Sequence, residues 1–171
     1  GSANGGYALV PTPDPDLAAL AGGGTLYDLS KIEFDFRPTS PTLSFDFVFG
    51  SEEYCEFVDG GFNDVFGFFI SGPGIPGTQN IAVIPSTSTP VSIDNVSHVT
   101  NSTYFVGNSN TCGFPPTNNA ECQLDGWTSV FTAVANVIPC STYHIKLAIA
   151  DVSDAAYASA VFLRANSFAA G

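Results

Sequence analysis

The sequence predicts an all-β chain folded as an antiparallel β-sandwich of the jelly-roll kind, with helical turns only. Three observations carry that expectation. Apolar and polar residues alternate with period two in several segments, as they do on a half-buried pleated strand. Aromatic side chains are abundant, 15 Phe and 6 Tyr with a single Trp, and such rings pack well on sheets. Clusters of Gly, Pro, Asn and Ser recur between the alternating segments, and no long stretch has a period of 3.6.

The elements follow in order. Residues 1–30 form an irregular N-terminal segment of the same domain, because Pro11, Pro13, Pro15 and Gly22 to Gly24 punctuate them and leave room for one helical turn at 16–20. The sandwich proper spans 31–171. Ile32, Phe34 and Phe36 alternate with Glu33, Asp35 and Arg37, and after a turn at 38–41, Leu43, Phe45, Phe47 and Phe49 alternate with Ser44 and Asp46. The apolar run 65–70 suits a central strand covered on both faces. Further strands are expected at 80–84, 103–106, 129–137, 142–150 and 159–165. In 142–150, Tyr143, Ile145, Leu147 and Ile149 face one way and His144 and Lys146 the other. Neither an internal repeat nor a domain linker interrupts the chain.

Charge narrows the function. Four basic residues stand against 16 acidic ones, a formal net charge of −12, and a phosphate backbone needs the opposite, so nucleic acid is excluded as a partner. With 44% hydrophobic and 12% charged residues the chain lies outside the disordered regime. No window approaches the length of apolar sequence that spans a bilayer, so no membrane insertion is expected. The absence of Met suggests a processed piece of a longer protein or an excised fragment, in which Gly1 and Ser2 are either native or a tag remnant.

Cys55, Cys112, Cys122 and Cys140 lack the spacing and flanking His of a zinc site. An even count in an acidic chain suggests two disulfides and an oxidising compartment. Cys112 and Cys122 bracket a Gly/Pro/Asn loop, which favours pairing them and leaves Cys55 for Cys140; four cysteines allow three pairings and the sequence does not decide among them.

The densest polar feature is residues 50–64, which hold Glu52, Glu53, Glu56, Asp59 and Asp64 with no Lys or Arg. Carboxylates this close raise one another's pKa unless a cation neutralises them. Calcium, which takes six to eight oxygen ligands, suits that composition. A second acidic pair, Asp151 and Asp154, ends the clearest strand and supplies further oxygens if the two loops meet. The competing reading is a solvated acidic edge that keeps strands from aggregating.

Signs of catalysis are weak. Glu52 and Glu53 are adjacent, point to opposite faces of a strand, and cannot flank one bond. His98 and His144 lie in unrelated contexts without a nucleophile motif. The glycines of 72–77 lack the Lys and helix of a phosphate loop. Asn95 and Asn101 begin formal glycosylation sequons.

Two blocks, FDFVFGSEEY at 45–54 and FNDVFGFFISGP at 62–73, resemble the choice-of-anchor L domain of secreted and surface-anchored bacterial proteins. The resemblance continues through 80–82, 90–96, 139–151 and 159–163, and covers most of the chain from about Asp14. It implies an extracellular or cell-surface location and an ill-defined role in adhesion or assembly. It also implies that polar residues concentrate at Glu52, Glu53, Asn63, Asp64, Asp151 and Asp154, which lie in the same two acidic loops and are the ligands expected for calcium. One departure is Ala158, where the family often carries an acid after the residue matching Tyr157. The family domain usually opens with further strands, so a sheet edge left uncovered is expected, to be filled by a retained N-terminal part or by a strand from a neighbouring copy, which head to tail would propagate into a filament; the alternative is that Gly1–Gly24 folds back and caps the edge itself.

The function expected is thus a non-enzymatic structural or adhesive module, calcium-stabilised, whose partners are its own copies or other surface proteins. The alternative is a carbohydrate-binding module using Tyr54, Tyr104, Phe105 and Trp127 as a platform for glycans.

Overall fold

The computed structural model describes residues 11–108, 113 and 122–169. Within them, α1 (Pro15–Leu20) precedes nine strands: β1 (Leu26–Phe36), β2 (Thr42–Ser51), β3 (Val65–Gly72), β4 (Ile75–Asn80), β5 (Phe105–Gly107), β6 (Gly126–Thr128), β7 (Phe131–Asn136), β8 (Tyr143–Val152) and β9 (Ser159–Leu163). They form two antiparallel sheets. The first has the order β1-β8-β3-β4, and the second runs β5-β6-β2-β7 with β9 added to β2. β6 and β7 pair with successive halves of β2, at 50–51 and 42–47. The fold is the expected β-sandwich.

Alternation explains the core. Leu43, Phe45, Phe47 and Phe49 of β2 are buried facing Phe66, Phe68 and Ile70 of β3 and Tyr143 and Ile145 of β8. Phe47 meets Phe66 and Phe68 edge-on, with ring centroids 5.5 and 5.0 Å apart, and Phe49 stacks on Phe66 at 5.1 Å. β3 lies between β8 and β4 and is buried on both faces over 65–70, as its unbroken apolar run requires.

The outer face of the first sheet is covered by α1. Asp14 caps this helix by accepting from the N–H groups of Asp16 and Leu17, both at 3.1 Å, and Pro15 supplies the first helical position without wasting a donor. Leu17 then joins Val65, Phe69, Ala148, Ala150 and Val152 in a second, smaller core. A Cβ on Gly67 would lie 2.5 Å from the Phe69 ring, so glycine there lets the ring fold flat beneath α1.

That cover changes the reading of Lys146. Alternation put it on a polar face with His144, but Lys146 is buried and its Nζ donates to both Asp14 carboxyl oxygens at 2.8 Å and to Asp16 Oδ2 at 2.6 Å. It also sits 4.9 Å from the Phe69 ring centroid. Burial opposes ionisation of Asp14, yet the hydrogen bonds from Lys146 and the helix N–H groups outweigh it and hold this carboxyl below its ordinary range. His144 stays exposed and meets Asp35 at 2.9 Å.

Other differences are local. β1 begins at Leu26 instead of Lys31. The strand expected at 80–84 is instead β4, a hairpin partner of β3 that ends at Asn80, because the turn is confined to 73–74. Neither predicted disulfide forms, since Cys122 and Cys140 are free thiols while Cys55 is disulfide-bonded; Cys112 lies outside the described residues. Cys55 could not reach Cys140. Cys140 donates its N–H to Pro38 O at the β1–β2 turn, whereas Cys55 follows the far end of β2, a ten-residue strand about 30 Å long, and a disulfide needs Cα atoms within about 7 Å.

Two outcomes are expected. Phe47→Ala should lower unfolding free energy by about 3–5 kcal/mol in urea titration, because a ring at the centre of the sandwich is lost and a cavity remains. Iodoacetamide applied to the native, unreduced protein should alkylate Cys140, which is exposed; protection of Cys140 until reductant is added would contradict its free state.

Candidate metal centre

β2 ends at Ser51 and β3 begins at Val65, and the loop between them faces the loop from β8 to β9. Pairing of Gly50 and Ser51 with Ala160 and Ser159 brings the two loops together, so the acids at 52–64 and 151–154 meet at one end of the sandwich.

Glu53 lies at the centre. Its side chain is only 1% exposed, and its Oε2 is buried without a hydrogen-bond partner. Burial first, then the nearby charges of Asp64, Asp154 and Asp151, push its pKa up to about 10. Asp64 is fully buried, and burial raises it to about 7 even though Ser159 Oγ donates to its Oδ2 at 2.6 Å and the Val152 N–H to its Oδ1 at 3.2 Å. Asp151 is pushed up to about 8 by burial and by Asp64, Asp28 and Asp154. No cation answers these charges: of the four basic residues, Lys31 pairs with Glu33, Lys146 with Asp14 and Asp16, Arg164 with Asp46, and Arg37 donates to Cys140 O.

The remaining expected ligands hold the loops. Glu52 Oε2 accepts from the Ala158 N–H at 3.0 Å while the Glu52 N–H donates to Ala158 O at 3.1 Å. Asn63 Oδ1 accepts from the Asp94 N–H at 3.2 Å, which ties its side chain to residue 94. Asp154 Oδ1 accepts from the Ala156 N–H at 3.0 Å. Ser153 Oγ donates to Gly61 O at 3.1 Å, and Phe57 packs on Phe62 and Tyr157 with ring centroids 5.5 and 5.3 Å apart, so ring contacts join the two loops.

The structure therefore brings Glu53, Asp64, Asp151 and Asp154 together and gives Glu52 and Asn63 structural tasks. Sequence reasoning missed Asp28, whose positive φ of 49° marks the β1 bulge beside Asp151, and Ser159. Among the described residues, no three His, Cys, Asp or Glu side chains already converge as an ion's ligand set. Of the aromatic platform, Tyr54 is fully buried with its hydroxyl donating to Val96 O at 2.7 Å, so it offers no face to a sugar.

The pKa shifts fix a pH dependence. Carboxyls whose folded pKa exceeds the unfolded value bind more protons when native, so stability is greatest below about pH 4 to 5 for this cluster and declines as pH rises through the raised values. In chelator, the melting temperature should fall from pH 5 to pH 9, and Glu53→Gln should flatten that fall and raise the melting temperature at pH 9. A wild-type melting temperature that climbs over this interval would contradict the burial of the cluster.

Among the described residues no helix is long and apolar enough to cross a membrane. No curated protein and no solved structure matches the chain. The family model described as choice-of-anchor L domain does match, over residues 3–169, and both acidic loops fall inside the match. The chain belongs to the choice-of-anchor L domain family, a surface-associated bacterial protein module.

Proposed function

We propose that this domain is a non-enzymatic structural or adhesive module of an extracellular or cell-surface protein, and that a calcium ion bound between the β2–β3 and β8–β9 loops stabilises it. The observation that carries the cation is Glu53, a carboxyl with an unpartnered buried oxygen among three further acids and no positive charge. A donor set of carboxylates matches a hard divalent ion. Glu53, Asp64, Asp151 and Asp154 would hold it. The ion supplies positive charge and replaces the protons these carboxyls otherwise keep near neutral pH.

A structural role accords with access. Glu53 and Asp64 are 1% and 0% exposed, so a substrate bond has no approach to them. The hydrogen bonds of Asp64 run to the backbone of β8 and to the Ser159 hydroxyl of β9, as a fastening requires.

Calcium binding only the native state adds RT ln(1 + [L]/Kd), about 2.7 kcal/mol at a hundredfold excess over Kd, and each kcal/mol moves the melting temperature by about 2–4 °C in a chain this long. Melting by circular dichroism at pH 7.5 should therefore rise by several degrees with millimolar calcium and return with EGTA. Glu53→Gln with Asp154→Asn should abolish the rise. Superimposable melting curves with calcium and with chelator would overturn the site and leave an acidic loop junction.

A further inference from the structure

β1 is an edge of the first sheet: it pairs with β8 on one side, and among the described residues no backbone group of 30–36 bonds to anything on the other. Among the described residues β9 is likewise an edge of the second sheet, paired only with β2. Between these two edges the sandwich is open. Two adjoining cavities, about 200 and 260 Å³, run along the opening. They are lined by Ile32, Phe34, Phe68, Leu147, Leu163 and Phe168. Four of these are poorly covered, Ile32 at 60%, Leu163 at 49%, Phe168 at 44% and Phe34 at 39% exposed, although they line the inner side of the sandwich. Apolar groups beside unpaired strand backbone are what monomers avoid.

The pattern of β1 says what fits there. Its outward residues Lys31, Glu33 and Asp35 alternate with inward Ile32 and Phe34. An antiparallel copy of the same strand, centred on Ile32, sets Lys31 opposite Glu33 of the second copy and Glu33 opposite Lys31 of the second copy. It sets Ile32 against Ile32 of the second copy and Ser30 against Phe34 of the second copy, and it places no like charges face to face. Charges on an edge strand ordinarily keep it from pairing; here the same charges are complementary to themselves when reversed.

We propose that two copies of this chain associate through β1, antiparallel and in that register, to join their first sheets into one of eight strands and close the opening between β1 and β9 from both sides. The contact is isologous, with the same patch on each copy, so it ends at a dimer instead of propagating. Opposite charges directly across an antiparallel ladder stabilise it and like charges destabilise it, which makes the register testable. The proposal is independent of the calcium site, which lies at the loop end of the sandwich.

Sedimentation equilibrium over about 10–500 μM, a range that brackets weak strand-edge association, should show a reversible monomer–dimer equilibrium, in calcium and in EGTA alike. Lys31→Glu and Glu33→Lys should each weaken dimerisation on the order of tenfold or more, and the double exchange K31E/E33K should restore it, with melting temperatures confirming that all variants fold. Ile32→Lys should leave a monomer. A compact monomer at every concentration would overturn the proposal, as would single charge variants that dimerise like wild type. Polymers that lengthen with concentration would overturn it in favour of head-to-tail strand donation.

Discussion

Negative charge held out of water at one end of the sandwich is the constraint on which much of the structure depends. Glu53, Asp64 and Asp151 sit where β2 ends, β3 begins and β8 ends, and their burial is what lifts all three pKa values. Asp64 spends its two oxygens on the Val152 N–H and the Ser159 hydroxyl, so one carboxyl fastens the last residue of β8 to the first of β9. Glu52 clasps Ala158 from the same side. Whatever neutralises the cluster, proton or cation, therefore also decides how firmly β9 is held against β2.

The opposite solution appears on the outer face of the first sheet. There two carboxyls, Asp14 and Asp16, share one buried ammonium, Lys146. The geometry is well satisfied, since Asp14 also caps α1 and the lysine stem lies along Phe69. Such a pair is costly to break once formed, because the surviving charge stays buried. The short helix has six residues and too little length to be stable alone; the ion cluster and Leu17 keep it in place.

The strands from Phe34 to Phe49, the both-sided burial of β3 and the inward face of β8 were legible because strict alternation, or an unbroken apolar run, reports burial directly. The pairing of the acidic loops was legible as composition, since five acids without a base demand an explanation. What local sequence does not encode is which element covers an outer face, and so Lys146 read as solvated until α1 was placed over it. Cysteine pairing failed for a related reason. Loop bracketing is a distance along the chain, while Cys140 and Cys55 are separated by the length of β2, a distance through the fold. Tyr54 read as an available ring because nothing in its neighbourhood shows that Val96 will accept its hydroxyl.

The two ends of the described chain are fastened at opposite ends of the strands. The Thr12 N–H donates to Leu26 O beside Val152, whereas Ala169 exchanges backbone hydrogen bonds with Ser44 near the start of β2. Tension entering at one and leaving at the other is directed along the strand axes. It loads the nine paired positions of β1 and β8 in shear, all at once, instead of peeling them one by one. A module on a surface exposed to drag would yield late and abruptly under such a pull, and the ion cluster at Lys146 stands next in the line of force after Thr12.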